Sequence, residues 1–194
     1  MVLNRVRKSV EPVMNSIGRA LGSFRLPPDF WTVIGFVFAL LAGILYGVRP
    51  SMPYLAALAI IASGAMDVVD GAVARAMNRV SKSGSFNDST LDRLAEVAIY
   101  AGIVYAAYTS GVIVLLTLGF SLLVSYTRAK GDALSVTLSG IGIGERAERL
   151  IVLVVFSVAG FVAYGVYLVL VLEFVTFIQR YVFILRKLST RLNP

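Results

Sequence analysis

Long apolar runs broken by short polar punctuation dominate the chain from about residue 30 to residue 188. A run of about 20 mostly apolar residues crosses a bilayer as a helix. Such runs are readable at roughly 30–48, 52–78, 91–108, 111–129 and 149–164. The last apolar block, Leu150 to Leu188, is too long for one crossing at about 1.5 Å per residue, and we divide it near Gly160–Gly165. Between the second and third runs, "NRVSKSGSFNDS" is polar and rich in turn formers, and is expected to be a loop. Ahead of the first run, Leu3, Val6, Val10, Val13, Met14, Ile17 and Leu21 recur at helical spacing with Arg5, Arg7, Lys8 and Arg19 between them. That pattern suits an amphipathic helix lying on an anionic membrane surface. No continuous apolar core follows the basic start, as a cleavable signal peptide would need. The expected fold class is therefore an all-α integral membrane protein, six transmembrane helices preceded by an N-terminal interfacial helix. One membrane domain is expected over 1–194, with 1–25 as the interfacial helix and about 30–188 as the bundle.

Composition agrees, at 58% hydrophobic residues and a mean hydropathy of +0.82. The chain has no cysteine and no histidine. Disulfides, thiolate nucleophiles and zinc–thiolate sites are excluded, and acid–base work falls to carboxylates, Lys or Tyr. The net charge of +7 has to be read by side. With a cytoplasmic N-terminus and six crossings, every basic residue except Arg49 falls on the cytoplasmic side. The positive-inside rule then puts both termini there, in a multi-pass protein of the cell membrane. The basic surplus is topological, and no nucleic-acid partner is expected.

Against this background Asp67, Asp70, Asp88 and Asp92 stand out, all on the cytoplasmic side. On a helix Asp67, Asp70, Gly71, Ala74 and Arg75 occupy i, i+3, i+4, i+7 and i+8, one face. Asp88 and Asp92 form an i, i+4 pair at the start of the next span. Two such helices joined by a polar turn bring four carboxylates together. They would repel and take up protons unless a multivalent cation were present, and oxygen ligands at this density suit magnesium or manganese. Gly71 and Ala74 leave the face bare for a ligand, and Arg75 can meet an anion. Alternatively these are helix-end charges solvated at the interface, Asp88 being a partner for a helix dipole.

The same stretch resembles the CDP-alcohol phosphotransferase signature, D-x2-D-G-x2-A-R-x8-G-x3-D-x3-D. Asp67, Asp70, Gly71, Ala74, Arg75, Gly84, Asp88 and Asp92 meet it without departure in identity or spacing. Members of that family transfer a substituted phosphate from a CDP-linked donor to an alcohol and release CMP. The resemblance implies that Asp67, Asp70, Asp88 and Asp92 hold Mg2+ (or Mn2+) against the donor diphosphate. It implies that Asp92 also acts as general base on the incoming hydroxyl. Thr32, Asp67, Gly71, Ala74, Arg75 and Gly84 are implied to contact the nucleotide. Thr32 enters through "PDFWTVIG", which is similar to the family's P-[ND]-x-x-T-x-x-G stretch, although Pro28 and Gly35 could equally be a helix start and a packing residue.

Arg128, Lys130, Arg146 and Arg149 flank a glycine-rich loop, and Arg180 interrupts the last span. Several cations aimed at one cavity suit an acceptor that itself carries a phosphate. As bare residues they could instead be positive-inside anchors, the reading favoured for Arg146, while Arg180 could snorkel to the interface. "SYTRAKGDA" and "GERAERL" look like the "KAR…ERPER" pattern of the phosphatidylinositol-phosphate synthase branch, whose acceptor is inositol 1-phosphate. Here Arg128 and Lys130 exchange the Lys and Arg, and Ala147 replaces Pro. Carried over by position, Arg128, Lys130, Arg149 and Arg180 are the acceptor-phosphate ligands. An archaeal ether lipid as donor would make the enzyme an archaetidylinositol-phosphate synthase. The family is typically dimeric, and Ala98, Gly102 and Ala106 form a small-residue ridge that serves either a homodimer seam or packing within one bundle.

Two other functions compete. Glycerol 3-phosphate as acceptor would give a phosphatidylglycerophosphate synthase. A cation transporter would use intramembrane aspartates as a relay, and predicts carboxylates spread through the bilayer depth. The aspartates cluster at one side instead, with Glu173 taken as the one further acid inside a span.

Overall fold

A computed structural model describes residues 26–138 and 140–192. The described residues form six helices: α1 Pro28–Val48, α2 Pro53–Ala76, α3 Lys82–Tyr105, α4 Gly111–Ala133, α5 Arg146–Val158 and α6 Val162–Leu192. The expected interfacial helix lies outside the described residues. Proline opens α1 and α2 at their first position, where the missing N–H is no loss and φ is already helical. The division of the last apolar block falls where expected: α5 stops at Val158, Gly160 takes φ +80, and α6 starts at Val162.

Two expectations need correction. Most of the polar stretch read as a loop is helical, because α3 begins at Lys82. The Ser81 hydroxyl caps it by accepting from Gly84 N at 3.0 Å. Ser89 and Thr90 donate back to Phe86 O within the following turns. These local bonds favour helix in turns with no apolar face to announce it. Secondly, among the described residues four helices rather than six are long and apolar enough to span a bilayer on their own: α1, α2, α4 and α6. The first turns of α3 are polar, and the 13 residues of α5 extend only about 20 Å.

Helix α1 packs on α2 and α3, α4 and α5 pack on α6, and α5 also meets α2. The core is built from Ala39, Ala42, Ala56, Ala59, Ala95, Ile60, Ile99, Ile103 and Leu153. Tyr46 reaches across it to share a hydrogen bond with Ser157 of α5. Side chains such as Val37, Ile44, Leu58, Leu115 and Val171 project outward, the apolar exterior that a lipid-facing bundle requires.

The small-residue ridge works inside the bundle. A Cβ on Gly102 would strike the backbone of Gly43 in α1, and one on Gly43 would strike the carbonyl of Ala98. The two backbones touch at these glycines, as small residues permit in apolar surroundings. This contact draws α1 against α3.

Candidate active site

Helices α2 and α3 are joined by a five-residue turn in which Asn78 adopts φ 52, a left-handed conformation that asparagine tolerates. The reversal places the C-terminal end of α2 beside the N-terminal turns of α3. Asp67 and Asp70 thereby come near Asp88 and Asp92. Asp67, Asp88 and Asp92 lie within electrostatic range of one another, and Asp70 within range of Asp67 and Asp88. The two helix ends are thus neighbours, with their carboxylates close enough to feel one another's charge.

A cavity of about 700 Å³ opens between the start of α1 and this turn. Thr32, Asp70, Gly71, Ala74, Arg75, Gly84 and Asp88 line it, together with Asp29, Arg79 and Ser85. Its size is that of a small-molecule site. Thr32, Gly71, Ala74, Arg75 and Gly84, drawn from three helices, face one space. Thr32 also binds the site together, its hydroxyl donating to Asp70 Oδ2 at 2.8 Å. Gly35 is a packing residue here, since a Cβ would stand 3.1 Å from Asp67 Oδ1 and 3.2 Å from Met66 Cβ. Asp29, Arg79 and Ser85 line the cavity without having been singled out from the sequence. Asp29 was visible in the P-[ND]-x-x-T-x-x-G stretch, but its side chain carried no separate reason for selection.

Asp67 and Asp92 lie behind this cavity, with Thr32, Ser63 and Ala95 around them. Arg146, from the first turn of α5, is inserted between them. Its Nη1 donates to Asp67 Oδ2 and stands 2.8 Å from Asp92 Oδ1. Its side chain is 21% exposed. Reading Arg146 as an interfacial anchor was therefore wrong: sidedness explains why a cation is at this end of the bundle, not which carboxylates it meets. Burial opposes its charge, but the Asp92 and Asp67 carboxylates outweigh burial and raise its pKa. Asp88 sits in the polar turns of α3, where burial first and the Asp67 charge second raise its pKa against the pull of Arg146 and Arg93.

Deeper in the bundle lies an ionic cluster that the sequence reading missed. Glu96, one further i+4 step along α3, receives hydrogen bonds from Arg149 Nη2 and from the Ser121 hydroxyl. Arg149 Nε stands 3.0 Å from Glu173 Oε1 of α6, and its Nη1 donates to Gly144 O at 3.1 Å. The intramembrane acids thus include Glu96 as well as Glu173, and both pair with Arg149. Arg180 donates to Ile141 O and Val124 O, each at 2.9 Å, and approaches Glu145 at 3.4 Å. Rather than snorkelling outward, it ties the glycine loop to α4 and α6. Thr176 assists by accepting from the backbone N–H groups of Ile143 and Gly144. Arg128 and Arg149 lie within electrostatic range of Arg180. Arg128 and Lys130 are exposed near the end of α4. Of the four cations, Arg128, Arg149 and Arg180 are thus neighbours, and Arg149 and Arg180 are engaged by protein groups.

The donor set suits a hard divalent cation: up to four carboxylates, no sulfur and no imidazole. Among the described residues no three acidic side chains converge on one point. Asp67 and Asp92 are instead held by Arg146, and Asp70 by Thr32.

Residues 25–184 match the CDP-alcohol phosphatidyltransferase family. The chain is 37% identical over 179 residues to the archaetidylinositol phosphate synthase of Pyrococcus horikoshii, covering 92% of this chain and 94% of that one. It is 35% identical over 176 residues to the phosphatidylinositol phosphate synthase of Cutibacterium acnes, covering 86% and 83%. Among solved structures it resembles the Mycobacterium tuberculosis phosphatidylinositol phosphate synthase in complex with manganese and citrate, with TM-score 0.76 and 26% identity over 88% of each chain. The same enzyme with CDP-DAG bound gives TM-score 0.74 at 24% identity, covering 89% of this chain and 94% of that one. A signature met at every fixed position, six of its eight residues lining one cavity, and a match across most of the length lead to a single assignment: the chain belongs to the CDP-alcohol phosphatidyltransferase family.

Proposed function

We propose that this protein transfers a phosphatidyl-type group from a CDP-linked lipid, CDP-diacylglycerol or CDP-archaeol, to inositol 1-phosphate and releases CMP. One observation carries the reading: six of the eight signature residues of α2 and α3, with Thr32 of α1, line one cavity of about 700 Å³, and the other two, Asp67 and Asp92, lie behind it. The names of the archaeal and bacterial relatives support the acceptor. So does the group of cations, Arg128, Arg149 and Arg180 with Lys130 nearby, beside the glycine loop.

Within this reading Thr32, Asp67, Gly71, Ala74, Arg75 and Gly84 bind the nucleotide. Gly71 and Ala74 let the diphosphate approach the helix backbone, and Arg75 offers a guanidinium to its anionic oxygens. Asp67, Asp70, Asp88 and Asp92 hold Mg2+ or Mn2+; the manganese in the mycobacterial structure supports a divalent ion. Bound there, the ion supplies charge neutralisation on the diphosphate. Asp92 is also the general base, taking the proton of the acceptor hydroxyl as its oxygen attacks the phosphorus. Arg128 and Lys130 contact the acceptor phosphate directly. Arg149 and Arg180 contribute charge from fixed positions while holding the loop.

The domain spans 1–194, with six crossings, α3 beginning in polar turns and α5 being the short one, and both termini and the site facing the cytoplasm. The sided distribution of basic residues supports that orientation. A homodimer is consistent with the apolar exterior.

Purified protein given a CDP-lipid, Mg2+ and each phosphorylated alcohol in turn tests the proposal by CMP release. Turnover with inositol 1-phosphate is expected. Turnover with glycerol 3-phosphate alone would replace the acceptor and keep the enzyme class, and no CMP release with any phosphorylated alcohol would remove both.

A further inference from the structure

The acidic cluster already contains a cation, and it belongs to the protein. Arg146 bridges Asp67 of α2 and Asp92 of α3, the two members of the tetrad that lie behind the main cavity. Its hold is incomplete in a telling way. The Arg146 Nε is buried without a hydrogen-bond partner, 3.9 Å from Glu96 Oε1. Arg149, one turn further along α5, donates through Nη1 to Gly144 O and through Nη2 to Glu96, and its Nε stands 3.0 Å from Glu173 Oε1 as an ion pair. Its side chain is 4% exposed. Of these neighbouring arginines, one is fixed in the bundle and the other stands at the rim on carboxylates that also suit an ion.

We propose that Arg146 is a tethered stand-in for the divalent cation, occupying Asp67 and Asp92 until the ion displaces it. The inference rests on the phosphotransferase reading, which assigns those aspartates to the ion. Arg146 takes Asp67 Oδ2 and Asp92 Oδ1, so an ion that draws on those two oxygens displaces it. Its side chain has the length and partial exposure to swing out from the first turn of α5, whereas Arg149 does not. Two consequences follow. Without the ion, Arg146 offsets repulsion among the carboxylates and keeps α2, α3 and α5 assembled. Apparent ion affinity scales with the fraction of molecules in which the arginine has left the site. A stand-in present in about nine molecules of ten weakens apparent affinity about tenfold.

The deciding measurement uses the unaltered protein in detergent. Phenylglyoxal labelling of arginines, mapped by mass spectrometry, is compared in EDTA and in saturating Mn2+. Arg146 is expected to be shielded in EDTA and to label several-fold faster with Mn2+, while Arg149 stays shielded in both. Arg146→Gln should bind Mn2+ about tenfold tighter, read by electron paramagnetic resonance of the free ion. Arg146→Lys, which retains a positive charge on a side chain that falls short of the Nη1 position making both contacts, should also bind it more tightly than the parent. Losing a nearby positive charge alone would favour the ion in the Gln variant, so the labelling result takes precedence. Labelling of Arg146 that Mn2+ leaves unchanged, or a Gln variant that binds Mn2+ no tighter, would overturn the stand-in while leaving the enzyme class intact. A parent protein that bound no Mn2+ would overturn both.

Discussion

Replacing Arg149 by methionine removes the charge at the centre of the buried cluster while keeping much of the side-chain volume. In the structure this arginine lies between Glu96 and Glu173, whose side chains are 5% and 0% exposed. At the 3.0 Å separation of Arg149 and Glu173, a unit pair attracts by roughly 5 kcal/mol at an effective dielectric of about 20. Desolvation offsets much of that attraction while the pair is intact. Removing one partner leaves its desolvation cost uncompensated, and typically destabilises by about 3–5 kcal/mol. For a chain of this length each kcal/mol moves Tm by about 2–4 °C, so Arg149→Met should lower the melting midpoint by roughly 6–20 °C. Size-exclusion of detergent-solubilised protein after graded heating reads the midpoint. A companion carrying Arg149→Met, Glu96→Gln and Glu173→Gln has no charge left to strand, and should recover at least half of the loss. If the single variant melts within a few degrees of the parent, or the companion is no better than the single variant, the cluster is not the ionic keystone described. The companion also separates two roles. A folded companion with unchanged acceptor KM makes Arg149 purely structural, whereas a raised KM supports its contribution to acceptor binding.

Asp92→Asn should abolish CMP release while CDP-lipid binding, measured by calorimetry, stays largely intact; parental turnover would remove Asp92 from the base role. Thr32→Val deletes the 2.8 Å bond to Asp70 and should cost about 1 kcal/mol, raising KM for the CDP-lipid several-fold with kcat less affected. An unchanged KM would place Thr32 outside the nucleotide site. Gly43→Ala puts a methyl against the Ala98 carbonyl and should destabilise by about 1–3 kcal/mol. Gly64→Ala and Gly119→Ala, with nothing within 4 Å of the added methyl, should be neutral or slightly stabilising. Equal melting midpoints for Gly43→Ala and Gly119→Ala would mean that α1 and α3 do not touch as described.

Features carried by strict periodicity or by a fixed motif were legible before any coordinates. The runs that became α1, α2 and α4 matched to within a few residues, because bilayer thickness sets a length that composition must satisfy. The break at Gly160 was legible because no single crossing could absorb that much apolar chain. The convergence of Asp70, Gly71, Ala74, Arg75, Gly84 and Asp88 on one cavity followed from helical spacing on either side of a short turn. The start of α3 was hidden because a serine cap and hydroxyl back-bonds maintain helix in polar turns. Glu96 was hidden for another reason. It continues the i, i+4 series of Asp88 and Asp92, but the signature ends at Asp92 and attention ended with it. For Arg146, counting cations by side accounted for its position along the bundle and left no motive to ask what it touches.

These misses share a physical pattern. Asp88, Asp92 and Glu96 form one acidic stripe along α3, and Arg146 and Arg149 form a matching basic step on α5. The stripe runs inward, and the character of its pairing changes with depth. At the inner end Glu96 and Arg149 are sealed from solvent, where an unmatched charge is costly, so their partners are permanent. At the rim Asp92 and Arg146 remain partly exposed, where the dielectric is higher and exchange of one cation for another is cheap. A bundle arranged this way can accept a ligand at the rim without disturbing the pair that holds α3, α5 and α6 together. Reorganisation on binding is then confined to one long side chain, which is why the deep arginine is the one to substitute for stability and the rim arginine the one to probe for function.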